Sequence, residues 1–415
     1  MKILMLSSTF PYPPSRGGTQ VRTFNLLKYL SQKHSITLLT QSSPDVNDLE
    51  VDSLRSYVDR LAISPPPQEP NQRNFFAKLR RLSNFIIEGT PPSVLSIYSP
   101  EMQKWVDEFV GEGKCEAITC EHCVNEIYIR HQWQEKVKTL VNVHSSVYGT
   151  CRQQLETGTA EKPLRDRLNL PLLLRYEKRY CSKFSFIVAT TEEDRKQLQE
   201  FNPNSKISVI PNGVDLSLFP YRSSDPGGKQ LIFVGAMDNF PNIDAVRFLT
   251  LEILPKVQEC YPDTTLALVG ARPVPKIQEL STRQGVKVTG RVPSIVEYLH
   301  QATVCVISMR TGFGIKNKTL EAMSAGTPVV ASDRGLEGLA VDGAGTPLRA
   351  LRANNVGEYI EAIIRLFEDR QLRQMLSENG RSLIETEYTW EVQGQRYERV
   401  LLCLLYTSPS PRDVP

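Results

Sequence analysis

The 415-residue chain lacks any apolar run near the about 20 residues that a bilayer-spanning helix needs, and its net charge is only +3. The first lack argues against a transmembrane helix. The second argues against a nucleic-acid partner, which calls for a much more basic face. The opening MKILMLSSTF carries one lysine and a brief apolar run but no small-residue cleavage site. It therefore reads as a buried first strand and not as an export signal. Without an export signal, eight scattered cysteines point to free thiols in a reducing compartment. Their one cluster is Cys115, Cys120 and Cys123 with His122. It lacks a second paired knuckle, so buried thiols are the expected role, metal is the alternative, and no metal site is assigned.

The hydrophobic content of 40% and charged content of 23% are those of a soluble globular protein, and the length suits two domains or three. Short β-rich apolar runs alternate with amphipathic helical stretches, the pattern of parallel sheets with crossover helices, so the fold class is α/β. Strands are predicted at 2–8, 35–41, 117–120, 139–145 and 186–191 in the first half. In the second half they fall at 230–236, 265–271, 286–292, 302–309 and 328–332. Thr19–Lys33 reads as a helix with Val21, Phe24, Leu27 and Leu30 on one face. Thr191 caps a second helix with acids in its first turn, and a long helix is expected over 242–260. Pro211, Asn212, Gly213, Pro226, Gly227 and Gly228 interrupt regular structure between the halves and place the linker there.

Two segments stand apart. Residues 73–87 form a basic amphipathic stretch with Phe75, Leu79, Leu82 and Ile86 on one face and Arg73, Lys78, Arg80 and Arg81 elsewhere. That pattern suits either an anionic membrane surface or a helix packed on its own domain. Residues 403–415, beginning CLLYTSPSPRD, resemble a translated sequencing adapter and are expected to lie outside the natural fold.

The densest information is in GFGIKNKTLEAMSAGTPVVAS, residues 312–332, a glycine loop running into a helix and then a buried strand. Gly312 and Gly314 permit a tight turn and close approach of a ligand, and a helix opening near Asn317 offers unpaired N–H groups to an anion. Lys316 and Lys318 add positive charge there, and Glu321 lies one turn further in, where a carboxylate can accept bonds from a ribose diol. An ordinary turn before a helix has the same spacing.

With two α/β halves in series, LEAMSAGTPVVAS (320–332), VIPNGVD (209–215), VATTEED (188–194) and FPYPPSRGG (10–18) occur together in order. The chain resembles a GT-B glycosyltransferase of the retaining family four, the glycosyl transferases group 1, over nearly everything up to Leu402. The resemblance implies two Rossmann-like domains with parallel sheets facing across a cleft. The domains would be residues 1–212 on the acceptor side and 213–385 binding the nucleotide sugar, with a helix over 386–402 returning toward the first. On the same resemblance Glu321 would hold the ribose, and Gly312, Phe313, Gly314 and Ile315 would form the diphosphate loop. Lys316 and Lys318 would neutralise the leaving group, and Gly290, Arg291 and Val292 would meet the nucleobase. Gly17 and Gly18 would approach the donor from the opposite wall, and His144 would face the donor sugar.

The sequence departs from the family's pattern at two places. Phe313 stands eight positions before Glu321, where the family usually has a glutamate. The arginine and lysine usual after the first strand of the second domain are missing, with Ala236, Met237, Pro241 and Asn242 at or near those places. Lys316 and Lys318 are then the nearest compensating charges, with Arg310 and Arg272 behind them. The implied reaction is retaining transfer of a sugar from a nucleotide-diphosphate sugar to a hydroxyl of a glycan or lipid-linked acceptor, in cell-surface polysaccharide or glycolipid synthesis. The leaving diphosphate takes the acceptor's proton, and no metal or other cofactor is expected. A sugar-nucleotide epimerase of the same fold and a non-catalytic scaffold of a polysaccharide assembly complex are the alternatives. The expected location is cytoplasmic, at the inner face of the membrane if 73–87 lies on lipid.

Overall fold

The computed structural model describes residues 1–67, 85–87, 89–312 and 314–406. Phe313, most of the basic stretch 73–87 and residues 407–415 of the expected artefact lie outside the described residues. The chain divides into two units, Met1–Pro211 with Gln393–Pro415, and Asn212–Val392.

The first unit holds a seven-stranded parallel sheet in the order β3-β2-β1-β4-β5-β6-β7. Its strands are β1 Lys2–Ser7, β2 Ser35–Gln41, β3 Arg60–Ser64, β4 Ala117–Glu121, β5 Lys138–Val143, β6 Phe186–Ala189 and β7 Ile207–Val209. All five residues of β4 are buried, as are five of six in both β1 and β5, the signature of strands covered by helices on both faces. The α-helices between them are α1 Gly18–Leu30, α2 Asp48–Arg55, α3 Pro92–Leu95, α4 Pro100–Gly111, α5 Val147–Glu156, α6 Pro163–Cys181 and α7 Glu192–Phe201. As the sequence suggests, Thr191 caps α7 by accepting from the Asp194 amide at 3.1 Å.

The second unit repeats the arrangement with a six-stranded parallel sheet in the order β10-β9-β8-β11-β12-β13. Its strands are β8 Gln230–Val234, β9 Thr265–Val269, β10 Val286–Gly290, β11 Val304–Ile307, β12 Val329–Ala331 and β13 Leu351–Arg352. The α-helices are α8 Phe240–Phe248, α9 Leu254–Cys260, α10 Pro275–Gln278, α11 Ile295–Gln301, α12 Asn317–Ser324, α13 Val356–Glu368 and α14 Arg370–Glu387, and α15 Trp390–Tyr406 carries the chain back into the first unit. Both sheets reverse their strand order once, between β1 and β4 and between β8 and β11. These are the switch points where open α/β sheets bind ligands.

Three strands escape sequence reading, namely β3, β7 and β13. All are sheet edges, and they are only 5, 3 and 2 residues long, too short to show a period. The long helix expected over 242–260 is interrupted by a π-helical segment, Leu249–Ile253. Pro255 follows it and has no N–H to continue the regular ladder. The last helix runs past Leu402 to Tyr406.

One buried polar chain ties the first unit together. Arg22 of α1 donates through Nε to the Asn142 side chain at 2.9 Å, and through its other nitrogens to the carbonyls of Ile210 (2.8 Å) and Pro211 (3.0 Å). Asn142 in turn donates to Glu121 at 2.9 Å, and the other oxygen of Glu121 accepts from the Tyr397 hydroxyl at 2.9 Å. Burial raises the Glu121 carboxyl and lowers the guanidinium of Arg22 to about 10. The chain thereby fastens α1, the end of the first sheet and α15 to one another. Arg22→Leu should cost about 3 kcal/mol in denaturant unfolding of this unit, because it orphans an amide and two carbonyls. A loss below about 1 kcal/mol would contradict the bracing role.

Candidate active site

The carboxyl ends of β8 and β11 meet at the second sheet's switch point, and most of the predicted residues of this unit gather there. β8 ends at Val234, and Gly235 follows it. A Cβ on Gly235 would lie 2.8 Å from Lys318 Nζ and 2.9 Å from Asn242 Nδ2, so only glycine admits the ammonium in this position. Lys318 bonds the Asn242 side-chain oxygen at 2.5 Å and lies 4.2 Å above the centroid of the Phe233 ring, with the Met309 sulfur 3.9 Å away. An amide, an aromatic face and a thioether are poor substitutes for water. Desolvation accordingly lowers Lys318 to about 7, with Lys316 adding to the fall and Cys305 and Glu321 opposing it.

Glu321 lies one turn along α12 from Lys318, on the same side of the helix. Burial pushes its carboxyl up to about 7, and Lys318 holds it back from rising further. Two groups of opposite sign, both partly accessible, thus sit near neutrality beside a helix N-terminus that no side chain caps.

The loop after β11 reaches that helix through Gly312 and Gly314, whose φ angles of +97° and +82° explain the glycines. Lys316 is buried, and its ammonium turns back to the carbonyls of Gly312 (3.0 Å) and Gly314, with Glu337 3.5 Å away. Glu337 also accepts from the Gly314 amide at 3.3 Å and from Arg334 at 3.2 Å. Lys316 therefore braces the loop, with Glu337 answering its charge. The two arginines placed behind the lysines are also paired, Arg310 with Asp244 at 2.9 Å and Arg272 with Asp238 at 2.5 Å. Lys318 is the predicted cation left at the mouth of α12. Ile315 is buried under the loop. Gly290 closes β10 with φ +70° and open space where a Cβ would stand, and an exposed Arg291 and a half-buried Val292 follow it, two strands along the sheet from β8.

The remaining predicted residues lie in the first unit. Gly17 is in extended backbone and Gly18 opens α1, again with no side-chain cap. His144 follows β5, and its ring meets that of His122 edge to face at 4.9 Å between centroids. His144 Nε2 is buried without a hydrogen-bond partner among the described residues. Burial, then His122 and Arg22, push the His144 imidazole well below its usual range and keep it neutral. Cys115, Cys120 and Cys123 are buried in the core, and desolvation raises all three thiols, that of Cys115 to about 12.

Sequence reasoning missed Gly235, Glu337 and the partnership of His122 with His144. Gly235 sits at the end of a predicted strand, the place where a dinucleotide fold uses glycine. No spacing rule brings Glu337 to a loop 23 residues upstream.

Comparison with known proteins identifies the family. A family model described as Glycosyltransferase Family 4 matches residues 16–218, and one described as Glycosyl transferases group 1 matches residues 228–369. The chain belongs to the GT-B glycosyltransferases of group 1. The GDP-mannose-dependent monoacylated alpha-(1-6)-phosphatidylinositol monomannoside mannosyltransferase of Corynebacterium glutamicum is 26% identical over 230 residues, 50% of this chain and 59% of that one. A phosphatidyl-myo-inositol mannosyltransferase of Mycobacterium tuberculosis is 27% identical over 212 residues, 46% of this chain and 52% of its own. The matches thus span little more than half the length of these relatives. The crystal structure of Anabaena Alr3699/HepE in complex with UDP-glucose superposes with a TM-score of 0.64 at 15% identity, covering 97% of this chain and 100% of that one, a likeness of fold.

The raised carboxyl fixes a pH signature. Below about 4.5 Glu321 is protonated folded or unfolded, and between 4.5 and about 7 the folded state keeps a proton that the unfolded chain has lost. Its contribution to stability therefore falls as pH rises through that window. Glu321→Gln should raise the unfolding midpoint at pH 8, by the equivalent of about 1 to 2 kcal/mol, and leave it nearly unchanged at pH 5. Equal effects at both pH values would mean that the carboxyl is not held in an unfavourable site.

Proposed function

We propose that this protein is a retaining glycosyltransferase that moves a sugar from a nucleotide-diphosphate sugar to a hydroxyl of a glycan or lipid-linked acceptor. Its work would be cell-surface polysaccharide or glycolipid synthesis at the cytoplasmic face of the membrane, with 73–87 as a candidate lipid contact. The observation that carries this reading is the juxtaposition at the β8/β11 switch point of an uncapped helix N-terminus, a caged lysine and a carboxylate one turn further in.

Each part has a role in the reaction. The α12 amides and Lys318 stabilise charge on the diphosphate as it leaves, in the manner of an oxyanion hole. A dianionic ligand beside Lys318 replaces the stabilisation that the ammonium loses with its hydration, so the lysine becomes fully protonated when the donor is bound. Glu321 accepts the ribose hydroxyls. A leaving-diphosphate oxygen takes the acceptor's proton on the same face of the sugar, so no protein nucleophile is required. His144, held neutral, is the residue proposed to face the donor sugar. Charge stabilisation by the helix and Lys318 takes the place a metal ion would fill, so turnover is proposed to be metal-independent.

Glu321→Ala should weaken nucleotide binding by roughly 1.5 to 3 kcal/mol in calorimetric titrations with UDP and GDP. Unchanged affinity for both would remove Glu321 from the ribose role. Turnover of the purified protein should survive exhaustive chelation, and loss of turnover from a protein that remains folded would overturn the metal-independent reading.

A further inference from the structure

We propose that the outward face of α6, with Ile86 and Ile87 beside it, is a docking surface for an anionic lipid bilayer. The proposal extends the lipid contact offered above for 73–87 to a different element, and it needs no property of the transferase site.

α6 is 19 residues long and amphipathic in an unusual sense. Its buried side carries Asp166, Tyr176, Glu177, Tyr180 and Cys181. Leu164, Arg167, Leu168, Pro171, Arg175 and Lys178 lie at spacings of three and four on its opposite side, and all are exposed. Leu164 and Leu168 are each 77% accessible, which a core-forming leucine is not. Ile87 at 72% and Ile86 at 51% are also exposed, and Arg175 of the same helix donates to the Ile86 carbonyl at 3.2 Å, which brings that segment beside α6. These four account for nearly half of the nine large hydrophobic side chains exposed among the described residues.

Charge selects the partner. Every exposed charged residue of α6 is a cation, namely Arg165, Arg167, Arg175 and Lys178. Both acids of the helix are turned inward. Asp166 accepts from Arg165 at 2.7 Å, and Glu177 accepts from the Ser146 hydroxyl and the Val147 amide, each at 2.7 Å. A protein partner would be met by charges of mixed sign. Exposed leucines on a helix whose own exposed charges are all cations match instead the boundary between acyl chains and acidic headgroups. Leucines at the N-terminal end would enter the acyl boundary while Arg167, Arg175 and Lys178 remain with the phosphates.

Co-sedimentation of the full chain with vesicles tests this. Binding is expected to vesicles of equal parts phosphatidylcholine and phosphatidylglycerol and not to phosphatidylcholine alone, and it should fall as salt rises. Leu164→Glu with Leu168→Glu should weaken it at least about tenfold. Arg167→Gln with Lys178→Gln should weaken it about twenty-fivefold, roughly fivefold for each cation. Both cations are exposed, so the pair decides the matter if the leucine variant fails to fold. Absence of vesicle binding, equal binding to neutral vesicles, or unchanged binding by the folded variants would overturn the proposal. So would a dimer that the leucine variant converts to monomer, since the patch would then join two copies. Binding is read without donor or acceptor, so a protein that docks on lipid but transfers no sugar would sink the transferase reading and leave this one standing.

Discussion

The approach of the Lys318 ammonium to the backbone of Gly235 is the contact on which the second unit's site depends. A side chain on residue 235 would push the ammonium out of its present position, and without the lysine the helix N-terminus would face its ligand with backbone dipoles alone. The cage of Phe233, Asn242 and Met309 keeps this cation fixed but poorly solvated. Such a cation gains more from a phosphate than a hydrated surface lysine does, because binding reverses a desolvation cost already borne by the fold. Glu321, held near neutrality by the same surroundings, is the second half of the device.

Sheet topology explains why these groups meet. The six strands of the second sheet follow the same order as the first six of the first sheet, and in each the order reverses between the first strand and the fourth. Loops leaving adjacent strands there diverge to opposite faces and open a crevice. In the second unit Gly235 follows β8, and Gly312 and Gly314 lie in the loop that follows β11. In the first unit, Gly17 follows β1, His122 follows β4 and His144 follows the neighbouring β5. The buried chain from Arg22 through Asn142 and Glu121 to Tyr397 holds these ends in register.

Much of this was legible in the sequence, and the limits have physical causes. β2 is read to the residue at both ends because a run of apolar and β-branched side chains sits between polar termini. β3, β7 and β13 are edges of few residues, where no period can form. Within the site, Gly312, Gly314, Lys318 and Glu321 are legible because they lie in one continuous block whose spacing has a mechanical meaning. The direction of a long side chain is not encoded in spacing. Lys316 and Lys318 look equivalent on paper, yet Lys316 folds back onto the loop carbonyls and Glu337 while Lys318 fills the cage beside Gly235. Arg310 and Arg272 read as reserve charge, but each already holds an aspartate brought near by tertiary structure.

The central claim is that a nucleoside diphosphate binds against the partly neutralised Lys318. Calorimetric titration of UDP and GDP at pH 7.5, repeated in buffers of different ionisation enthalpy, counts the protons exchanged on binding. With Lys318 and Glu321 both at about 7 in the free protein, the deprotonated Lys318 fraction at pH 7.5 exceeds the protonated Glu321 fraction, so binding should take up a net fraction of a proton, and Lys318→Met should abolish that net uptake. Binding without proton uptake, or uptake that persists in Lys318→Met, would place the phosphates elsewhere and contradict the account.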